Sequence, residues 1–283
     1  MSVNIAFRQV EKRFERRDDA GKLQSFTALS DISFDVRAGE FMVIVGPSGC
    51  GKSTLLDLLG GLTKPTSGEI LLNGKPINGP GLDRGIVFQQ YALFPWRTAL
   101  GNVEFGLEAK KVPAKQRTEI ARDCLSRVGL SGFENRYPHE LSGGMKQRVA
   151  IARCLAYDPD VLMMDEPFAA LDAQTRELLQ GELLTLWEKT QKTIVFITHG
   201  IDEAVYLGQR VAVMTSRPGR IKTILEVPPE LRALGPDLRS APEFGQLRQE
   251  LWGHLRSEVL AAQEEERQRK LALNNAEEVR AHG

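Results

Sequence analysis

The sequence predicts an α/β fold: a buried, largely parallel sheet flanked by helices, with a small antiparallel sheet before it and a helical insertion within it. Three observations carry this. The first is a set of short apolar runs, FMVIV (41–45), GIVFQ (85–89), VLMMD (161–165), TIVFIT (193–198) and RVAVMT (210–215), each suited to a strand covered on both faces. The second is the alternation of apolar and polar residues in IAFRQV (5–10) and ISFDV (32–36), the pattern of half-buried antiparallel strands. The third is a stretch of about 70 residues, 91–158, between the second and third apolar runs, with helical sequence such as PAKQRTEIARDCLSRVGL and SGGMKQRVAIARCLA.

Composition agrees with a globular chain. With 283 residues, 42% hydrophobic and 26% charged, the chain has room for one large domain or a domain with an appendage, and it is not collagenous, coiled-coil or disordered. The 37 basic residues balance 37 acidic ones, so a global basic bias toward nucleic acid is missing. Three cysteines, Cys50, Cys124 and Cys154, lack metal-type spacing and suit a reducing compartment, with the cytoplasm as the default. The start MSVNIAFRQVEKRFERR has no apolar run of the leader type, and no segment approaches the roughly 18 apolar residues of a membrane span.

In chain order, ERRDDAGKLQS (15–25) reads as a solvated hairpin tip between the two alternating strands. FMVIVG is a buried strand ending in glycine, and KSTLLDLLGGL after it is a helix. After SRPGR (216–220) the composition shifts, and prolines 228, 229, 236 and 242 precede a last helix with Phe244, Leu247, Leu251, Leu255 and Val259 on one face. That face is expected to pack on its own domain, and the charged end from EEERQRK (264–270) onward to fray. The organisation expected is a domain over 1–220, its helical subdomain near 91–158, and a helical extension with a charged tail over 221–283.

GPSGCGKS (46–53) matches G-x-x-x-x-G-K-[ST] and lies between a buried strand and a helix, where a phosphate-binding loop belongs. Such a loop wraps its N–H groups around phosphate, and the helix adds its positive end. Gly46, Pro47, Ser48, Gly49, Cys50, Gly51, Lys52, Ser53 and Thr54 are therefore the candidate nucleotide contacts. Lys52 neutralises the β and γ phosphates and the Ser53 hydroxyl ligates Mg²⁺. Cys50 is read as a small residue that fits, with a thiol made acidic by Lys52 and the helix end as the alternative. VLMMDEP (161–167) ends a strand in two carboxylates: Asp165 to hold Mg²⁺ through its water shell, Glu166 to accept a proton from, or orient, the attacking water.

A phosphate loop alone leaves kinases, GTPases, helicases and transport ATPases open. LSGGMKQR (141–148) narrows the choice: Ser142 caps a helix whose first N–H groups Gly143 and Gly144 leave uncovered, a second anion site in a chain with one phosphate loop. A head-to-tail dimer uses it, Ser142 and Gly144 of one subunit meeting the γ-phosphate on the other's loop. A kinase would leave this segment unexplained.

Together these motifs resemble the nucleotide-binding subunit of an ABC transporter, over roughly residues 3–220. The resemblance implies a P-loop NTPase fold with a RecA-like core, an antiparallel β subdomain and a helical subdomain, and an ATPase coupled to transport with ATP and Mg²⁺ bound. It further implies that Gln89 is the Q-loop glutamine contacting Mg²⁺ or water, with Gln90 as its neighbouring alternative. Asp172 resembles the D-loop aspartate, His199 the switch histidine that hydrogen-bonds the γ-phosphate, and Phe14 the aromatic that stacks on adenine, with Phe26 as runner-up. Two departures stand out: Gly200 where the family has Asp, which is expected to loosen the turn after the histidine, and Ala169 where the D-loop commonly has Ser.

GPGLDRGIVFQ (79–89), ALFPW (92–96), GNVEFGLE (101–108), RPGRI and APEF are similar to the importers of the nitrate, sulfonate and taurine group. That implies a second copy or a homologous ATPase subunit, transmembrane permease subunits, an extracellular or periplasmic solute-binding protein acting indirectly, no nucleic acid, and a peripheral place on the cytoplasmic face of the inner membrane. The segment around Gln89 to Pro95 is where the permease would dock. The alternative is an ABC-type ATPase acting on nucleic acid in repair or translation, although such chains usually carry a long coiled-coil insertion or tandem cassettes. The solute itself is not legible.

Overall fold

In the computed structural model, which describes residues 2–17, 21, 23–169 and 171–281, the chain opens with two long antiparallel strands. β1 (Ile5–Arg17) pairs with β2 (Leu23–Val36) from Ile5↔Val36 to Arg17↔Leu23. Ile5, Phe7 and Val10 of β1 and Ile32, Phe34 and Val36 of β2 are buried, and the Phe7 and Phe34 rings stack at 4.5 Å. Phe7 and Val10 are three positions apart, which would break the alternation; a register shift between them, with Gln9 at φ 48°, returns Val10 to the buried face. The solvated tip expected over 15–25 is shorter than the sequence suggests. Glu15, Arg16 and Arg17 pair with Ser25, Gln24 and Leu23, because a ladder of backbone bonds does not require its side chains to be buried. What remains of the tip falls mostly outside the described residues.

β3 (Phe41–Val45) is wholly buried and leads through the glycine loop into α1 (Lys52–Leu59). β4 (Ser67–Leu72) and β5 (Lys75–Pro76) complete a four-stranded antiparallel sheet of order β2-β1-β4-β5. The chain then supplies β6 (Arg84–Val87), helices α2 (Ala99–Ala109), α3 (Ala114–Arg127) and α4 (Gly143–Ala156), and β7 (Val161–Asp165). The helices of the insertion thus lie between two neighbouring parallel strands. α5 (Ala173–Thr190), β8 (Thr193–Thr198), α6 (Ile201–Leu207) and β9 (Arg210–Met214) follow, then β10 (Ile221–Glu226), α7 (Pro229–Arg232) and α8 (Pro242–Ala281).

The main sheet has the order β10-β9-β3-β8-β7-β6, parallel except for β10. Both of its faces are covered, which explains the unbroken apolar runs. Met42 and Ile44 face Leu55, Leu58 and the antiparallel sheet, while Phe41, Val43 and Val45 face the helices on the other side. The composition change at Arg220 is not a structural break. β10 follows at once and pairs with β9, so the expected helical extension from 221 opens with an edge strand whose side chains are only partly covered. Phe244, Leu251 and Leu255 of α8 are buried in the same core as Val43. No helix among the described residues is long and apolar enough to cross a membrane.

Candidate nucleotide site

Adjacent parallel strands deliver their carboxyl ends to one edge of the sheet, the place where an open α/β sheet leaves its crevice. There β3 releases Gly46, β8 releases His199, and β7 releases Asp165 and Glu166. The registers Val45↔Thr198 and Asp165↔Ile197 bring these exits level with one another.

The glycine loop is tightly closed. Gly51 adopts φ 101°, and a Cβ there would lie 2.7 Å from Leu29 Cδ2, so only glycine fits. Lys52 is buried beneath the loop, its Nζ donating to Gly46 O and Pro47 O, both at 3.0 Å. The first turn of α1 has neither a side-chain cap nor an acidic residue, which leaves its amides for an anion. Ser48, Gly49 and Ser53 are exposed. Cys50 is 1% exposed, and burial raises its thiol more than nearby Lys52 lowers it, so the acidic-thiol alternative fails and the small-residue reading stands.

Asp165 accepts a hydrogen bond from Ser53, and burial raises its carboxyl above the usual range, opposed by Ser53 and Lys52. A divalent cation suits that pair: a hydroxyl and a carboxylate are both hard oxygen donors, and its charge would favour the ionised acid. Among the described residues no cluster of three or more His, Cys, Asp or Glu could hold a metal. Glu166 lies 2.6 Å from His199 Nε2. That hydrogen bond, reinforced by the histidine's charge, holds the Glu166 carboxyl below its ordinary value despite partial burial.

The remaining expected residues are placed less centrally. Gln89 is exposed after β6 and makes no hydrogen bond among the described residues; Gln90 is exposed beside it. Ser142 accepts from Met145 N at 3.3 Å as the cap of α4, and Asp172 accepts from Thr175 N at 2.9 Å as the cap of α5. A Cβ on Gly143 would meet Tyr91 Oη at 3.3 Å, and one on Gly144 would meet Thr175 Cγ2 at 3.0 Å. Phe14 and Phe26, expected as alternatives, are cross-strand partners stacked at 5.4 Å. Arg217, which the sequence marks only as part of SRPGR and RPGRI and gives no role, donates from Nε to Gly49 O at 2.7 Å and lies over the Phe26 ring at 6.0 Å, joining that aromatic pair to the loop.

His199 borders two cavities. One of about 1090 Å³ is lined by Glu166, Thr198, His199, Arg176, Arg239 and Trp252. The other, about 310 Å³, lies between Gly46, Pro47 and Ser48 on one side and Trp252, Val259 and Gln263 of α8 on the other. The Ser142–Gly144 segment lines neither.

A buried parallel strand, a closed glycine loop with its lysine beneath, and a carboxylate pair at the end of the strand two places away define a P-loop nucleotide-hydrolysing protein. The model of the ABC transporter family matches residues 29–169. The chain is 52% identical to the uncharacterized ABC transporter ATP-binding protein MJ0412 of Methanocaldococcus jannaschii, over 92% of this chain and 94% of that one. It is 50% identical to the taurine import ATP-binding protein TauB of Roseobacter denitrificans (79% of this chain, 85% of that). Against the nitrate import ATP-binding protein NrtD of a Synechocystis strain it is 53% identical (73% and 78%). Among solved structures, a dimeric post-hydrolysis state of the ATP-binding cassette MJ0796 bound to ADP and Pi superposes with a TM-score of 0.70 at 35% identity, covering 79% of this chain and 99% of that one. The chain belongs to the ABC transporter ATP-binding family and is an ATP-binding, ATP-hydrolysing subunit.

Proposed function

We propose that this chain powers the uptake of a small solute of the nitrate, sulfonate or taurine kind through separate permease subunits, at the cytoplasmic face of the membrane. The observation that carries it is the contact of Glu166 with His199 at the strand edge that also presents the phosphate loop and the Ser53–Asp165 pair. The importer names of the taurine and nitrate relatives support the solute class and do not favour a nucleic-acid role.

ATP binds with its phosphates on the loop amides, Lys52 neutralising the β and γ groups and the Phe14–Phe26 pair offering a face to adenine. Ser53, Asp165 and Gln89 would hold a Mg²⁺, which would supply charge neutralisation to the phosphates. Glu166 takes a proton from the attacking water as its oxygen bonds to the γ-phosphorus, and the breaking P–O bond leaves its electron pair on ADP. His199 holds Glu166 through Nε2 before nucleotide arrives, and on ATP binding it turns that N–H to the γ-phosphate. Two copies, or one copy and a homologous subunit, sandwich the nucleotides head to tail, with Ser142, Gly143, Gly144 and Asp172 of each meeting the other's site. The position of Ser142–Gly144 outside both cavities, and the dimeric state of the related cassette, support this arrangement. A solute-binding protein delivers cargo to the permease on the far side.

The test is ATP hydrolysis by the complex of this chain with its permease and binding protein, screened with nitrate, taurine and alkyl sulfonates. Stimulation by one of these solutes is expected. Failure of every solute, with hydrolysis that responds to DNA or RNA instead, would overturn the proposal.

A further inference from the structure

Gly200, directly after His199, has no side chain and gives α6 no side-chain cap, so the turn that aims the histidine must be held from elsewhere. The holder is a chain of hydrogen bonds beneath it. Gly200 N donates to Thr198 Oγ1 at 2.9 Å, and that hydroxyl donates to Glu203 Oε2. Gln180 Nε2 on α5 donates to Glu203 Oε1 at 2.7 Å, and Gln180 Oε1 accepts from Arg239. Arg239 also pairs with Glu177 Oε1 at 2.5 Å and lies over the Tyr206 ring at 4.5 Å.

The frame is costly to assemble and therefore informative. Thr198 and Gln180 are 4% and 2% exposed, and burial of the Glu203 carboxyl raises it, opposed by its bonds to Thr198 and Gln180. Both carboxyl oxygens of Glu203 accept a hydrogen bond, one from Gln180 and one from Thr198, so the acid is tied on both sides. A network buried at Thr198 and Gln180, and partly at Glu203, fixes geometry there, because slipping one member leaves the others unpaired in a medium of low polarity; only Arg239 Nε, at its outer end, has no partner among the described residues. It also crosses three parts of the molecule: α5, the β8–α6 turn and the segment before α8.

We propose that Glu203 is a positioning residue for His199, and that Gln180 and Arg239 extend its frame into the C-terminal segment, so that the Arg239–Gln180–Glu203–Thr198 chain sets where the histidine ring points. The inference rests on the reading that His199 acts in hydrolysis. It makes turnover responsive to movement of the C-terminal segment, which would reach the histidine through Arg239 without touching nucleotide.

The experiment measures kcat and KM for ATP, and affinity for a fluorescent ADP analogue, in the full chain assembled with its permease. Glu203→Ala and Thr198→Val should each lower kcat at least about tenfold with KM and ADP affinity within about twofold, since misaimed catalytic groups cost rate and not binding. Thr198→Ser, which keeps the hydroxyl, should stay within about threefold of the unaltered chain. Should Glu203→Ala fail to fold, the Thr198 pair carries the test alone. Unchanged kcat in Thr198→Val, a Thr198→Ser variant as slow as the valine, or affinity lost in step with kcat would overturn the inference. His199→Ala separates the two levels: normal hydrolysis there sinks the role given to His199, whereas a dead His199→Ala beside a normal Thr198→Val sinks only the positioning frame.

Discussion

The Glu166 backbone sits at φ 46°, a left-handed conformation uncommon for a residue with a side chain, held by its N–H on Ile197 O at 3.0 Å and its carbonyl under Ala169 N at 3.1 Å. This bend turns the carboxylate out of the strand and onto His199. Glu166→Gln should keep nucleotide binding and lose turnover at least about a hundredfold, because the phosphate cradle is untouched while the proton acceptor is gone. Near-normal hydrolysis would refute the role. The same contact predicts a pH response of stability. A carboxyl lowered on folding stabilises the folded chain above its ordinary value, and the contribution disappears as pH falls through the lowered one. The stability advantage of the unaltered chain over Glu166→Gln, measured by urea denaturation, should therefore shrink as pH drops below the ordinary glutamate value of 4.5. An advantage that grows on acidification would contradict the pairing.

Among the elements, α8 is the one whose attachment is easiest to test. Leu251 is 0% exposed in the main core and neighbouring Trp252 is 46% exposed. Leu251→Ala should cost about 2–5 kcal/mol in chemical denaturation, against under about 1 kcal/mol for Trp252→Ala. Similar small losses in both would mean the helix is not docked. The docking face was legible, since Phe244, Leu251 and Leu255 recur at helical spacing. So were the core strands, whose apolar runs announce burial on both faces. β10 was not: IKTILE is an edge strand with mixed coverage, and it follows the SRPGR turn, where the change in composition reads as a boundary. At the candidate site, local motifs brought Gly46 to Ser53, Asp165, Glu166 and His199 into view. Thr198, Glu203, Gln180, Arg217 and Arg239 stayed hidden because their chemistry exists only between distant segments, and a lone buried polar residue carries no period to read.

At the scale of the whole molecule, the proposed head-to-tail pairing makes two lesions distinguishable. Ser142→Arg should abolish hydrolysis in a uniform dimer by crowding the partner's phosphate, with a loss of about 1 kcal/mol for the cap it gives α4. Mixed with a Lys52→Ala subunit, it should put both defects in one site and leave the other whole, giving one trapped nucleotide per dimer. Full activity of Ser142→Arg alone would exclude the geometry. Strand order carries a further consequence, for synthesis on the ribosome. Every strand of the antiparallel sheet has its sheet partners by residue 76, so that ladder can close as it emerges, although its buried face also packs on later residues such as Met163 and Ile197. β3, which launches the phosphate loop, has only β8 and β9 as neighbours, and these are made about 150 residues later. At about 5–20 residues per second FMVIV waits roughly 7 to 30 s without a sheet partner. Until then the growing chain has an unpaired apolar strand for a chaperone to hold, and ATP cannot help it fold, because the strands that flank the launch of its binding loop are among the last of the sheet to be made.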